Sequence, residues 1–255
     1  MSAAVSARER IAVLTGAARG IGLACAQQLA QEGHQVVILD LDLDGGEEAV
    51  DVINGSGGAA KAVQCDVGSP DALERAIAQV MAQFGGCDVL VNNVAHGGGA
   101  RVSFAQHDRA LWRQTFAVNF DAAVQLTTAF LPGMAQRRFG RVINVLSNTL
   151  WAPPPIGIVA YVASKGALLG FTRALARETG DAGVTVNAVA PGLVRWRDEG
   201  LPHADDFYAS VAAAQSIPRT LSAEDIAGPV CFLASDRASM MTGQTLCVDG
   251  GSVML

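Results

Sequence analysis

The chain has 255 residues, half of them apolar and 16% charged, with a formal net charge of −6. That is enough apolar material for one large α/β core, and the absence of any basic run or face excludes a nucleic-acid partner. Cys25, Cys65, Cys87, Cys231 and Cys247 are odd in number, widely spaced and without a Cys-x-x-Cys pair, which excludes a disulfide framework or zinc site, predicts no bound metal and fits a reducing cytoplasm.

The opening stretch, Met1 to Arg10, lacks the apolar centre of a signal peptide and reads as a short leader. Seven β-rich apolar runs follow: Ile11–Thr15, Val36–Asp40, Ala62–Cys65, Val89–Asn92, Val142–Leu146, Val184–Val189 and Leu246–Val248. Amphipathic stretches of helical period separate them. Runs that are apolar at successive positions belong to strands buried on both faces, as in a parallel sheet covered by helices. The expectation is an α/β fold: a single-domain, doubly wound parallel sheet of about seven strands, Rossmann-type, with helices on both faces. It spans 1–255, since no linker or long repeat interrupts it and Gly55-Ser-Gly-Gly58 is only a turn.

Directly after the first strand stands Thr15-Gly-Ala-Ala-Arg-Gly-Ile-Gly22, followed by a helical segment. Gly16, Gly20 and Gly22 let the backbone turn sharply and approach a pyrophosphate at the helix N-terminus. Asp40 ends the second strand, where a carboxylate can bond ribose hydroxyls and would repel a 2′-phosphate. NAD is therefore favoured over NADP, although Arg19 inside the turn could neutralise such a phosphate.

The stretch from Val142 to Ser164 carries no charge and approaches the ~20 residues that span a bilayer. It contains Asn144, Ser147, Asn148 and three consecutive prolines, 153 to 155, which deny a helix its hydrogen bonds, so a membrane span is rejected. It runs into Tyr161-Val-Ala-Ser-Lys165, which holds one of the two tyrosines and one of the two lysines in the chain. Four residues apart on a helix, both side chains share one face. A neighbouring ammonium is expected to lower the phenol's pKa and fit it to exchange a proton with a substrate hydroxyl.

These motifs resemble those of the short-chain dehydrogenase/reductases, and the resemblance runs from Ile11 to Gly251. The glycine turn, Cys65-Asp66-Val67, Asn92-Asn93-Val94-Ala95, Phe116-Ala-Val-Asn-Phe120, Gly140-Arg-Val-Ile-Asn-Val-Leu-Ser147, the Tyr161/Lys165 pair and Pro191-Gly192 carry it. It implies a catalytic set of Asn119, Ser147, Tyr161 and Lys165. Ser147 would donate to the substrate oxygen, and Tyr161 would move the proton. Lys165 would lower the phenol's pKa and hold the nicotinamide ribose, while Asn119 would hold a water linking the lysine to solvent. The implied cofactor contacts are Gly16, Arg19, Gly20, Ile21, Gly22, Asp40, Asp66, Val67, Asn93, Tyr161, Lys165, Pro191, Gly192 and Val194, with Asp66 and Val67 at the adenine.

The chain also departs from the family pattern. Val94-Ala95 stands where relatives carry Ala-Gly, adding bulk beside the cofactor. Trp196 replaces a threonine after Pro191-Gly192, so that either backbone groups of Leu193 and Val194 serve in its stead or the following segment packs differently over the cofactor. Ser147 lies fourteen residues before Tyr161 where many relatives use thirteen, a register in which Asn148 would compete.

By the same resemblance, residues 195–220 form a substrate cover, with Trp196, His203, Phe207 and Tyr208, and Trp151 and the prolines adding apolar wall. Ser147-Asn-Thr, Gly170 to Ala176, Gln215 to Arg219 and Thr242 to Gly251 look like runs of the family's NAD-dependent 1-phenylethanol and pyridoxal 4-dehydrogenases. The implied activity is an NAD-dependent interconversion of a secondary alcohol, aromatic by the likeness of these runs, and its carbonyl by a homotetramer or dimer. The competing readings are an NADPH-dependent ketone or 3-oxoacyl reductase and a non-catalytic dinucleotide-binding regulator. A serine hydrolase is disfavoured, since no Gly-x-Ser-x-Gly elbow occurs.

Overall fold

The computed structural model describes residues 9–97, 103–155, 157–195 and 204–255. Seven strands, β1 (Ile11–Thr15), β2 (Gln35–Asp40), β3 (Ala59–Gln64), β4 (Val89–Asn92), β5 (Gly140–Val145), β6 (Val184–Pro191) and β7 (Thr245–Val248), form one sheet in the order β3-β2-β1-β4-β5-β6-β7. Every pairing is parallel. All seven expected strands are present, with ends shifted by a few residues.

Alternation along each strand divides the core between the two faces. Ala12 and Leu14 of β1, with Val36 and Ile38 of β2, pack toward α1 (Gly20–Gln31), α2 (Leu43–Gly55) and α8 (Ala223–Ala234). Their neighbours Ile11, Val13, Val37 and Leu39 pack toward α3 (Pro70–Phe84) and α5 (Ala122–Arg137). Burying one such leucine contributes roughly 1.5–3 kcal/mol, so an unbroken apolar strand is the natural product of two helical layers. Two further helices, α4 (Arg109–Phe116) and α6 (Val159–Thr179), lie on the path to the site, and α7 (Ala204–Ala213) lies in the expected cover. A π turn, Ala117–Asp121, joins α4 to α5 without a break.

The chain passes to opposite sides of β1 on leaving it and on returning as β4. This reversal opens a crevice at the carboxyl ends of the strands, the usual ligand position in such sheets. The segments carrying Gly16, Asp40, Asn93, Ser147 and Pro191 all sit at these ends. Among the described residues, no helix is long and apolar enough to cross a membrane, and no three His, Cys, Asp or Glu side chains gather as metal ligands.

Candidate active site

A cleft of about 470 Å³ occupies this crevice. Gly16, Arg19, Gly20, Ile21 and Asp40 line one end, Ser147, Tyr161 and Lys165 the other, with Asn93, Pro191, Gly192 and Val194 along the walls. The sequence therefore names most of the lining. Gly22, Asp66, Val67 and Asn119 do not line this cleft.

At the first end the backbone is shaped for close approach. Gly16 and Gly20 adopt φ of +63° and +59°, a region that costs a side-chain-bearing residue energy. Gly22 is needed for packing: a Cβ there would stand 2.7 Å from Ala17 Cα and Asn93 Nδ2. The turn is knitted to β4 by Asn93, whose Nδ2 donates to the carbonyls of Thr15 and Gly16, both at 2.9 Å. Thr15 Oγ1 accepts from the amides of Asn93 and Val94. The Val94 departure is thus accommodated with the loop fastened to β1.

The N-terminus of α1 differs from its neighbours. Asp42, Ser69 and Asp108 accept from the first turns of α2, α3 and α4, whereas Arg19 makes no capping bond and α1 has no acid in its first turn. Unpaired amides at the positive end of a helix dipole suit an anion. Together with the glycine cradle and Asp40, they fit the diphosphate and ribose of a dinucleotide. Asp40 also has a structural part that the sequence did not disclose: Oδ2 accepts from Ala18 N at 2.9 Å and Oδ1 from Asp42 N at 3.1 Å.

At the second end, Lys165 is buried and its Nζ donates to the Val145 carbonyl at 2.6 Å. Burial without a carboxylate partner penalises the ammonium and pushes its pKa down to about 7. Nζ lies 5.8 Å from the centroid of the Tyr161 ring, one helical turn away. The expected lowering of the phenol's pKa is corrected here. Burial raises Tyr161 above the ordinary tyrosine value, and the opposing pull comes from the Ser147 hydroxyl. With its own charge disfavoured, Lys165 is only partly protonated near neutral pH and adds no pull that offsets the burial of the phenol.

The two side chains that compete for the serine's place in the register point differently. Ser147 faces the cleft, while the Asn148 amide turns away and donates to Asp249 Oδ2 at 3.1 Å. Asn119 is buried in the π turn. Its Nδ2 donates to the His96 carbonyl and Ser164 Oγ, and its Oδ1 accepts from His96 N. The side chain that was expected to hold a water is thus engaged as a clasp between the loop after β4 and α6. The asparagine pair also braces the sheet, since Asn92 donates to Asn144, which donates to Thr172 of α6. Asp66, expected at the adenine, accepts from Gly68 N.

Of the expected cover, Trp196, Arg197 and His203 lie outside the described residues. Phe207 is half exposed and Tyr208 buried on α7. Arg195 pairs with Asp205 and stacks its guanidinium 5.4 Å from the Tyr208 ring centroid. Arg219 pairs with Asp225. Trp151 packs with Leu146 and Leu168. Sequence reasoning assigned no part to Thr15, Asn144, Ser164, Thr149 or Asp249. Small polar residues inside apolar strands or beside motif residues were the available signal.

A family model described as enoyl-(acyl carrier protein) reductase matches residues 16–253. A 3-oxoacyl-(acyl-carrier-protein) reductase, FabG, of Salmonella typhimurium is 34% identical over 246 residues, covering 96% of this chain and 98% of the relative. Dehydrogenase/reductase SDR family member 4 of Bos taurus is 34% identical over 253 residues, covering 96% and 87%. Among solved structures, a protein from Beutenbergia cavernae, provisionally described as an NAD(P)-dependent gluconate 5-dehydrogenase and holding NADP at low occupancy, superposes with a TM-score of 0.88. It shares 38% identity and covers 95% of this chain and 96% of its own.

Proposed function

The chain belongs to the short-chain dehydrogenase/reductase family of oxidoreductases, and from that premise we propose that it interconverts a secondary alcohol and its carbonyl using a nicotinamide dinucleotide, NAD in preference to NADP. The observation that carries the reading is one continuous cleft with the glycine turn and Asp40 at one end and Ser147, Tyr161 and Lys165 at the other. The nicotinamide, when bound, gives or takes the hydride. Tyr161 exchanges the proton with the substrate oxygen. Its burial keeps the phenol protonated at neutral pH, ready to donate when a carbonyl is reduced. Ser147 steadies the charge that develops on that oxygen. Lys165, with a pKa of about 7, changes charge near neutral pH and so suits proton exchange behind Tyr161 and contact with the nicotinamide ribose. Asn119 supports this wall by holding His96 and Ser164 in place.

Gly16, Arg19, Gly20, Ile21 and Gly22 receive the pyrophosphate end, Asp66 and Val67 the adenine. Asn93, Pro191, Gly192 and Val194 receive the nicotinamide end. Asp40 supports NAD because its side chain, held at the end of β2 by two backbone amides, is an acid that opposes a 2′-phosphate. The second reading, an NADPH-dependent 3-oxoacyl reductase, draws support from the FabG likeness, from the NADP in the Beutenbergia protein and from Arg19 in the same cleft. Family membership also favours a homotetramer.

The test follows reduced nicotinamide by absorbance, with both cofactors, across aromatic, aliphatic, sugar and steroid alcohols and, in reverse, a 3-oxoacyl thioester. Tyr161→Phe is the control. Turnover with NAD that disappears in the control is expected. A strict preference for NADPH with the thioester would replace this reading by the second, and turnover surviving in the control would remove Tyr161 from its role.

A further inference from the structure

Ser147 ends the segment after β5 in an extended conformation and caps a short 3₁₀ turn, Asn148–Leu150. Two donors from one residue converge on its oxygen. The Thr149 amide lies 3.2 Å from Ser147 Oγ, and the Thr149 hydroxyl lies 2.9 Å from the same atom. A serine oxygen has two lone pairs and one proton. With both lone pairs occupied, the proton is what remains to be offered. Ser147 lines the cleft together with Tyr161, and its hydroxyl is the group that pulls the phenol's pKa down against burial.

The turn that carries Thr149 is held on both sides. Asn148 is fastened to Asp249, and Leu150 packs with Leu146 and Leu168 in a small apolar cluster. Thr149 therefore reaches Ser147 from a fixed support.

We infer that Thr149 is a positioning residue: its hydroxyl and amide together fill the acceptor sites of Ser147, which commits the serine to donate its proton into the cleft, toward the oxygen of Tyr161 or of a substrate carbonyl. This rests on the proposed alcohol–carbonyl chemistry but can be judged apart from it. A valine at 149 keeps the shape and the amide and removes the hydroxyl. Ser147 is then free to rotate and divide its proton among other acceptors, so it donates less to phenolate or to a developing oxyanion. The charged and titratable groups lining the same cleft are Lys165 of α6, Arg195, and Arg19 and Asp40 at the far end; the Thr149 exchange leaves all of them unchanged.

The experiment uses the chain's scarcity of tyrosine. In a Tyr208→Phe background, Tyr161 is the one phenol, and its titration reads directly from near-ultraviolet phenolate absorbance without any turnover. Thr149→Val is expected to raise the Tyr161 midpoint by about half a pH unit or more. It is also expected to lower kcat for 1-phenylethanol about tenfold, with KM for the dinucleotide unchanged. Thr149→Ser, which returns the hydroxyl, restores both. An unchanged midpoint in Thr149→Val overturns the inference. So does a kcat above the parent's, which would mean that Ser147 had been donating to Thr149. Failure of Thr149→Ser to recover overturns it as well, assigning the effect to packing. If Tyr161→Phe retains turnover, or no alcohol reacts, the functional reading fails while the phenol titration still decides the part of Thr149.

Discussion

The two ends of the cleft are built by different means. At the nucleotide end, hydrogen bonds run mostly through backbone: Asn93 to the carbonyls of Thr15 and Gly16, Asp40 to the amides of Ala18 and Asp42. Shape is set there by where a Cβ cannot go. At the chemical end, the decisive fact is desolvation. Lys165 is buried with one carbonyl partner, and both it and Tyr161 are moved away from their charged forms. On the proposed reading, recognition rests on geometry that is settled before a ligand arrives, and chemistry rests on groups that burial holds toward their neutral forms.

The sharpest way to break this contrast is Lys165→Met. If the lysine governs proton exchange, kcat should fall by about a thousandfold. Its stability signature runs the other way. A lysine with a folded pKa of about 7 against an ordinary 10.5 binds fewer protons folded than unfolded between those values, so its contribution to stability rises with pH across that window. Below pH 7 the full penalty of a buried charge remains. Thermal unfolding of Lys165→Met should therefore lose that rise and show the greatest gain over the parent at the acid end. A parallel pH dependence in the two proteins would refute the desolvation account.

At the other end, Gly22→Ala places a methyl group against Gly16, Ala17 and Asn93. A loss of about 2 kcal/mol of stability is expected in denaturant unfolding, together with weakened dinucleotide binding by titration calorimetry. Normal stability would mean that the turn is less rigid than its hydrogen bonds imply. Asp40→Ala tests both parts of one carboxylate. The NADP-to-NAD preference should rise about tenfold and stability should fall by about 1 kcal/mol, since the Ala18 amide loses its acceptor. An unchanged cofactor ratio would sink the NAD assignment while leaving the bracing part to the unfolding curve. Smallest is Gly170→Ala on the exposed side of α6, where no atom lies within 4 Å of the added methyl. A gain of roughly 0.5–1 kcal/mol is expected from helix propensity, and a loss there would reveal a neighbour covering that face.

The sequence disclosed what depends on pattern. Strands buried on both faces show as unbroken apolar runs, and the glycine turn shows because a positive φ at Gly16 and Gly20 selects one residue type. Lys165 and Tyr161 were legible because both residue types are rare in this chain. What stayed hidden depends on three-dimensional environment. The direction of the Tyr161 shift follows from how completely α6 and β5 exclude water, which no spacing reveals. Asp40 reads as a ribose ligand, yet its hold on Ala18 requires knowing where the turn folds back. Asn119 reads as a water holder, and its clasp on His96 and Ser164 emerges only when β4 and α6 are brought together.

The Asn148–Asp249 bond ties the loop bearing Ser147 to the turn that follows β7. Asp249 also gathers the amides of Gly251, Ser252 and Val253, so this anchor belongs to the last strand of the sheet to be synthesised. Chains emerge from the ribosome N-terminal part first. The strands proposed to cradle the adenosine half, β1 to β4, are complete long before the loop bearing Ser147 acquires its tether. A growing chain would thus own a nucleotide cradle before it owned a braced serine, and the enzyme would become competent only when the final strand closes the edge of the sheet.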